Sequence, residues 1–263
     1  MPTAERQRSK RSALTTLGIA AWGLLAVAVY LMLFVARESC DERCASGKGP
    51  DASGGPLQRI FYFHVPAAWV AYLAFTVVFI ASIAYLKTNA RRWDLLAHAG
   101  AEIGVVFMSI VLITGPIWAH PVWGTWWQWD ARLTSAFLMW LTYVGYLLLR
   151  GLVADPSRVG RLAAVIGIVG LINVPIVHFS VYWWRTQHPS GPSPGALDRS
   201  SGLGAPELLA FFTALAAFTL LFAWLLALRT RLGRVSDEVE SLELSAARSE
   251  ARATEAPRPG LAT

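Results

Sequence analysis

The sequence predicts an all-α polytopic membrane protein with six transmembrane helices and both termini in the cytoplasm. Hydrophobic residues make up 55% of the 263-residue chain, charged residues only 15%, and the mean hydropathy is +0.45. This composition is typical of membrane proteins and not of soluble domains. Two further observations set the architecture. They are six apolar runs of about spanning length, and a dense tryptophan cluster in a predicted outward-facing segment.

The apolar runs follow one another along the chain with polar connections. The first extends from Ala13 to about Val35, and it lacks the short apolar core and small-residue cleavage site of a secretory signal. We therefore expect a retained helix. Pro175 is a candidate kink within the fifth run. The later runs lie at residues 61–86, 100–117, 134–152, 162–182 and 206–228.

These runs divide the chain into three parts. Residues 1–13 form a basic cytoplasmic segment, residues 14–228 a six-helix membrane domain, and residues 229–263 a cytoplasmic tail. In the tail, apolar residues from Leu232 onward repeat at spacings of three and four, which predicts a short amphipathic helix. The end of the chain, from Ala251, has a composition typical of disorder.

The distribution of Lys and Arg predicts the orientation. Of the 23 basic residues, sixteen lie in segments on the same side as the termini and seven lie on the opposite side. Because cytoplasmic loops carry the excess of Lys and Arg, both termini are expected in the cytoplasm. The net charge of +6 gives no reason to expect a nucleic-acid partner, because most basic residues lie in short segments between apolar runs.

The segment WGTWWQWDARLTS, Trp123–Ser135, is the most unusual part of the sequence. Its tryptophans lie in a predicted outward loop, residues 118–133. A helical conformation would place three of its tryptophans and Asp130 on one face. Such a face suits the headgroup level of a bilayer, as in an aromatic belt, or a large planar ligand. Arg132 would lie near the headgroups and pair with Asp130 or with an anionic ligand. Four of the twelve tryptophans belong to this segment, namely Trp123, Trp126, Trp127 and Trp129.

Histidines gather on the same predicted face. Taken singly, each is explained by a bond to a carbonyl or water, or by a place on the surface. Together with indoles, two histidines on different elements offer the axial nitrogens and the apolar wall that heme requires, and Arg132 or Arg185 offers a cation for the propionates. Spacing alone does not separate two of the candidates, His178 and His188. The outer set comprises His64, His120, His178, His188, Trp183 and Trp184, whereas His98 lies on the inner side.

Other chemistries find less support in the sequence. There is no Walker A pattern for ATP hydrolysis, and no HExxH motif or cysteine–histidine spacing for zinc. Cys40 and Cys44 are too few for a disulfide framework, and they are compatible with a local disulfide, a metal site or free thiols. An ion or solute transporter is the main alternative function, although the polar groups lie at the outer rim and not at the midplane.

Three blocks of the sequence together resemble the heme exporter protein C family of cytochrome c biogenesis. They are FYFHVPAAW, WGTWWQWDARLTS and NVPIVHFSVYWWRTQHP. The resemblance covers about residues 58–228, and the tryptophan-rich block is highly specific. The CDERC loop and the long cytoplasmic tail depart from the family pattern.

This resemblance implies a six-helix protein of the bacterial cytoplasmic membrane that is not an enzyme. It would hold b-type heme transiently at the periplasmic surface and deliver it to a periplasmic heme chaperone, beside an ABC-type ATPase and its membrane subunits. The family's axial ligands correspond to His64 and His188, and the tryptophan segment corresponds to the apolar heme platform. The expected heme-binding residues are His64, His188, Trp123, Trp126, Trp127, Trp129, Asp130, Arg132, Trp183 and Trp184.

Overall fold

The computed structural model describes residues 2–36, 59–153, 155–184, 186 and 204–255. Within these ranges the regular elements are helices, and six spans are long and apolar enough to cross a membrane. The predicted six-helix membrane fold is therefore confirmed. The helices are α1 (Pro2–Tyr30, ending in a π-helical turn at Leu31–Val35), α2 (Phe61–Thr88), α3 (Arg91–Trp123), α4 (Ala131–Leu152), α5 (Pro156–Leu171), α6 (Asn173–Trp183) and α7 (Ala205–Glu255).

Two prolines lie inside the third span, which is longer than the predicted run 100–117. Helix α3 continues through Pro116 and Pro121 and ends only at Trp123. A proline removes one backbone donor and bends a helix, but membrane helices tolerate this because neighbouring helices and hydroxyl side chains satisfy the freed groups. The predicted end of the third run, at residue 117, is therefore wrong. Six residues assigned to the loop belong to α3 instead.

The fifth span is divided, as its proline suggested. Helix α5 ends at Leu171 and α6 begins at Asn173, with Ile172 between them in a turn whose N–H donates to the carbonyl of Val169 at 3.1 Å. Pro175 has no N–H for the carbonyl of Leu171, four residues earlier, and its ring crowds that carbonyl. The kink expected at Pro175 is thus a break in the helix.

The last helix is longer than predicted. Helix α7 extends without interruption over 51 residues to Glu255, so the predicted amphipathic helix is a continuation of the sixth span. Two cross-helix ion pairs to α3 hold this continuation. Arg91 donates two hydrogen bonds of 2.9 Å to Asp237, and Arg229 donates one of 2.7 Å to Glu102. The prediction of disorder from Ala251 is wrong as far as Glu255, and residues 256–263 lie outside the described ranges.

Helix α2 lies in the middle of the bundle, where it contacts α3, α5 and α7. Its central side chain is Phe75, which is fully buried. The ring of Phe75 stacks on Tyr143 of α4 with centroids 3.8 Å apart. On its other side it fills the space beside Gly104 of α3, where an added Cβ would lie only 2.4 Å from Phe75 Cε1. Three helices are thus locked together around one aromatic ring.

The two ends of the bundle differ in chemistry. At the end that holds the α2–α3 connection, Asp94 is buried and is bound by Arg91 and by Arg150, the latter at 2.6 Å. His98 also lies at this end, with Nε2 3.6 Å from Glu102. We call the opposite end, formed by the start of α2, the α3–α4 connection and the end of α6, the tryptophan end. The expected cytoplasmic position of the termini remains a prediction.

The close contact at Gly104 generates a stability prediction. Gly104→Ala forces a methyl group into the Phe75 ring, and we expect it to lower the free energy of unfolding by about 1–3 kcal/mol, as overpacking does. The matched control is Gly145→Ala in α4, where an added Cβ meets nothing within 4 Å. Thermal unfolding in detergent should show a lower midpoint for the first variant alone. Equal midpoints for both variants would contradict this packing.

Candidate functional site

The end of α3 and the start of α4 shape the tryptophan segment. Gly124 adopts a left-handed conformation with φ 72°, and its N–H donates to the carbonyl of His120 at 2.8 Å. A left-handed glycine of this kind ends a helix, because residues with a Cβ adopt that conformation at a cost. The segment from Gly124 to Asp130 is therefore not helical. The condition for one helical face that carries Trp123, Trp126 and Trp127 is therefore not met.

Asp130 begins the next helix. Its Oδ1 accepts a hydrogen bond from the N–H of Leu133 at 2.8 Å, and its backbone is extended, with φ −76° and ψ 169°. This is the N-cap arrangement, in which a carboxylate satisfies one of the free N–H groups of the first helical turn. The connection between α3 and α4 is thus seven residues long, 124–130, and shorter than the predicted loop 118–133.

Within this short connection the indoles form two groups. Trp126 stacks on the ring of His120, with centroids 4.2 Å apart and planes inclined by 22°. Trp127 and Trp129 make an edge contact at 5.6 Å, and both contact Phe137 of α4 in the same way. Trp126 is 57% exposed and Trp129 is 73% exposed. Large apolar rings are therefore held in fixed positions yet presented at the surface.

The space behind these indoles is small. A pocket of about 10 Å³ opens there, which is room for about one water molecule. A planar macrocycle needs a volume tens of times larger. Any such ligand would therefore lie on the exposed indoles and not inside this pocket. Its lining residues are Ala119, Trp123, Thr125, Trp126, Trp127, Gln128, Asp130 and Leu133.

His64 is buried in the first turn of α2, at the same end of the bundle. Its Nδ1 lies 2.8 Å from Oγ1 of Thr114 in α3. Its ring meets that of Trp118, one helical turn further along α3, with centroids 6.0 Å apart. Neither Thr114 nor Trp118 was predicted from the sequence as a site residue. Thr114 and Trp118 are four residues apart and share one face of α3, which was the available signal. The signal is weak because most hydroxyls in apolar helices bond only to their own backbone.

Helix α6 carries a second exposed aromatic group. Phe179 stacks on Trp183 at 5.6 Å, and Trp183 meets Trp184 edge-on at 5.7 Å. His178, one of the two histidines that spacing alone did not separate, is exposed. The buried positions of α6 are Val177 and Ser180, three residues apart, so the side chain between them points away from the bundle. Helix α6 packs on α4, the helix that begins at Asp130.

The remaining predicted residues divide into two classes. Arg132 is half-buried in the first turn of α4, close to the indoles that precede it. His188, Arg185, Cys40 and Cys44 belong to parts of the chain that are not described. In the described ranges, no group of three or more His, Cys, Asp or Glu side chains is arranged to hold a metal ion.

The six apolar spans define a polytopic membrane protein. One end of its bundle presents a buried histidine and exposed indoles. The chain belongs to the heme exporter protein C family, whose family model matches residues 4–245. The family resemblance predicted from the sequence is therefore confirmed. The protein is accordingly a multi-pass membrane component of cytochrome c biogenesis.

Individual relatives agree with this assignment. The chain is 42% identical over 177 residues to the heme exporter protein C of Bradyrhizobium diazoefficiens, which covers 66% of each chain. It is 35% identical over 211 residues to a ccmC-like mitochondrial protein of cytochrome c biosynthesis from Marchantia polymorpha, covering 80% of this chain and 83% of that one. The heme exporter protein C of Escherichia coli K12 is 41% identical over 138 residues, 52% of this chain and 56% of the relative.

The N-cap at Asp130 gives a prediction that separates the effect of the capping hydrogen bond from the effect of the negative charge. Asp130→Ala removes the acceptor for the Leu133 N–H, and we expect it to lower the free energy of unfolding by about 1 kcal/mol. Asp130→Asn keeps an oxygen acceptor at the N-cap and should retain wild-type stability. The measurement is the thermal midpoint of the purified protein in detergent. A loss of stability with asparagine equal to that with alanine would show that charge, and not capping, is the stabilising property.

Proposed function

We propose that this protein holds heme at the periplasmic surface of the bacterial cytoplasmic membrane and delivers it to a periplasmic heme chaperone for cytochrome c maturation. The observation that carries the proposal is the pairing of a buried, hydrogen-bonded imidazole with exposed indoles. His64 is fixed by Thr114 and lies at the same end of the bundle as Trp126 and Trp129. Relatives of the chain are named heme exporter protein C.

The iron ligands in this proposal are His64 and His188. A histidine that binds a metal through one ring nitrogen usually donates its other N–H to a neighbouring group, which fixes the ring. His64 has such a neighbour in Thr114 at 2.8 Å. Two neutral imidazoles hold a b-type heme without a covalent bond to the protein, so exchange of one ligand is enough to begin release. Transient binding is the property that delivery requires.

The tryptophan segment would serve as the platform for the macrocycle. Its exposed rings, Trp126 and Trp129, offer flat apolar surface, which is suited to stacking on a porphyrin. Trp123 and Trp127 line the small pocket behind this surface and support it. Because the rings lie at the surface, one edge of the heme stays accessible to a partner. The arrangement therefore suits capture and hand-over better than permanent storage.

The flanking residues complete the proposed site. Arg132, at the start of α4, is the cation assigned to a heme propionate, since guanidinium groups bind carboxylates with high specificity. Asp130 holds the start of that helix in place through the Leu133 cap. Trp183 and Trp184 on α6 extend the apolar surface on the neighbouring helix. These assignments make the site a composite of α2, α4, α6 and the α3–α4 connection.

The proposed partners follow from the same reading. An ABC-type ATPase and its membrane subunits would associate with the protein in the bilayer, and the heme chaperone would approach the tryptophan end. The chain itself acts as a carrier and assembly subunit and not as an enzyme. The alternative function, ion or solute transport without heme, predicts flux through liposomes and no Soret absorption in the purified protein. An absorption spectrum distinguishes the two functions directly.

The histidines provide the sharpest test. We expect His64→Ala and His188→Ala each to abolish the six-coordinate heme spectrum and to stop loading of the chaperone. His178→Ala is the matched control, because His178 is exposed on α6 and has no assigned role in ligation. The measurement is the oxidised and reduced absorption spectrum of each variant, at equal levels of protein in the membrane. If His178→Ala loses the spectrum while His188→Ala keeps it, the ligand pair is His64 with His178.

The platform is tested separately from the iron ligands. Combined replacement of Trp126 and Trp129 by alanine should reduce heme retention and chaperone loading at least 10-fold, since each buried aromatic contact contributes about 1–2 kcal/mol. The control is Trp22→Ala in α1, because Trp22 is 56% exposed, almost the same fraction as Trp126. Retention of heme is measured after size-exclusion chromatography. Normal loading in the double variant would mean that the segment is an aromatic belt at the headgroup level.

A further inference from the structure

We propose that Thr114 is a positioning residue that fixes the tautomer of His64, with the hydrogen on Nδ1 and the lone pair that would coordinate iron on Nε2. The proposal rests on the proposed heme-binding function and adds a residue on α3 to it. Its basis is the position of the single hydroxyl hydrogen of Thr114. That hydrogen has two possible acceptors, the carbonyl of Ile110 and Nδ1 of His64, each 2.8 Å away from Oγ1.

The distance to the carbonyl decides between the two acceptors. If the hydroxyl donated to His64, Oγ1 of Thr114 would face the oxygen of Ile110 across 2.8 Å with no hydrogen between them. Two oxygen lone pairs at hydrogen-bond distance repel each other, and in an apolar bundle no water screens that repulsion. The hydroxyl hydrogen therefore lies between Thr114 and Ile110. The hydrogen between Oγ1 of Thr114 and Nδ1 of His64 must therefore come from the imidazole.

Two other sites in the same bundle show this arrangement without ambiguity. Ser109 donates to the carbonyl of Val105 at 2.8 Å and accepts from Nε1 of Trp140 at 2.8 Å. Thr219 donates to its own helix at 2.7 Å and accepts from Nε1 of Trp69 at 3.2 Å. An indole N–H is a donor only, so each hydroxyl must be the acceptor. His64 occupies at Thr114 the position that an indole occupies at the other two hydroxyls.

The consequence for His64 is a single neutral tautomer. Its Nδ1 carries the hydrogen and donates to Thr114, and its Nε2 carries the lone pair that coordinates a metal. The bond also joins α2 to α3, so the ring orientation is set by the packing of two helices and not by α2 alone. A hydroxyl acceptor raises the basicity of the ligand less than a carboxylate would. This suits an iron ligand that must later release its heme.

The test uses exogenous ligands in a cavity variant of the full-length protein. His64→Gly removes the imidazole, and heme binding is then restored by adding free imidazole or N-methylimidazole. When its other nitrogen coordinates iron, imidazole still donates an N–H to Thr114, whereas N-methylimidazole donates none. We expect N-methylimidazole to need a concentration at least about 10-fold higher than imidazole to restore the six-coordinate spectrum. This is the size of effect that removal of such a hydrogen-bond partner has.

The same titrations with Thr114→Val added to His64→Gly isolate the hydrogen bond. Valine keeps the shape of threonine but accepts no hydrogen bond. The preference for imidazole over N-methylimidazole should therefore fall about 10-fold, while any effect of the different sizes of the two ligands remains. An unchanged preference overturns the proposal. In the chain that retains His64, Thr114→Val should weaken heme binding about 10-fold or more and shift the ferric electron paramagnetic resonance spectrum, and Thr114→Ser should restore both.

Failure of the proposed function gives a different result. If His64→Ala keeps the wild-type heme spectrum, then His64 is not an iron ligand and both ideas are wrong. If His64→Ala loses the spectrum but Thr114→Val matches the wild type in affinity and resonance spectrum, only the role of Thr114 is wrong. Equal thermal midpoints for Thr114→Val and Thr114→Ser would show that any spectral difference arises at the heme and not from unfolding.

Discussion

The packing of Phe75 between Gly104 and Tyr143 is the contact on which the candidate site depends. It sets the separation and the register of α2 and α3 near the middle of the bundle. His64 lies eleven residues before Phe75, and Thr114 lies ten residues after Gly104. At a rise of 1.5 Å per residue, the two distances are about 16.5 Å and about 15 Å along antiparallel helices. The Phe75 contact therefore brings His64 level with Thr114, and a change in helix spacing would separate them.

The tryptophan segment obeys a different constraint, which is the geometry of two helix ends. Gly124 stops α3 and Asp130 starts α4, so only a short chain remains to carry the indoles. Rings in so short a connection cannot all turn inward, and Trp129 is the most exposed of them. Exposure of large apolar side chains is costly in water unless another surface covers them. Lipid headgroups and a heme edge are both suitable covers for this segment.

Much of the fold follows from local properties of the sequence, and the errors occur where distant residues decide. Length and apolarity identify all six spans. The passage of α3 through Pro121 was not predictable, because neighbouring helices satisfy the groups that a proline frees. The exposure of His178 was not predictable either, since it depends on which face of α6 meets α4. Thr114 was missed because its partner, His64, lies fifty residues away in the sequence.

By itself the sequence determined that the chain is a six-span membrane protein that resembles the heme exporter protein C family, and it predicted that half of its tryptophans and most of its histidines lie on one face. Composition, periodicity and motif spacing are local quantities, so they are obtained from the sequence without any knowledge of packing. Only the tertiary structure decided that Nδ1 of His64 lies within hydrogen-bond distance of Thr114 and that Phe75 sets this register. A hydrogen bond between two helices requires a defined register along the bundle axis, and only the packing of the bundle sets that register.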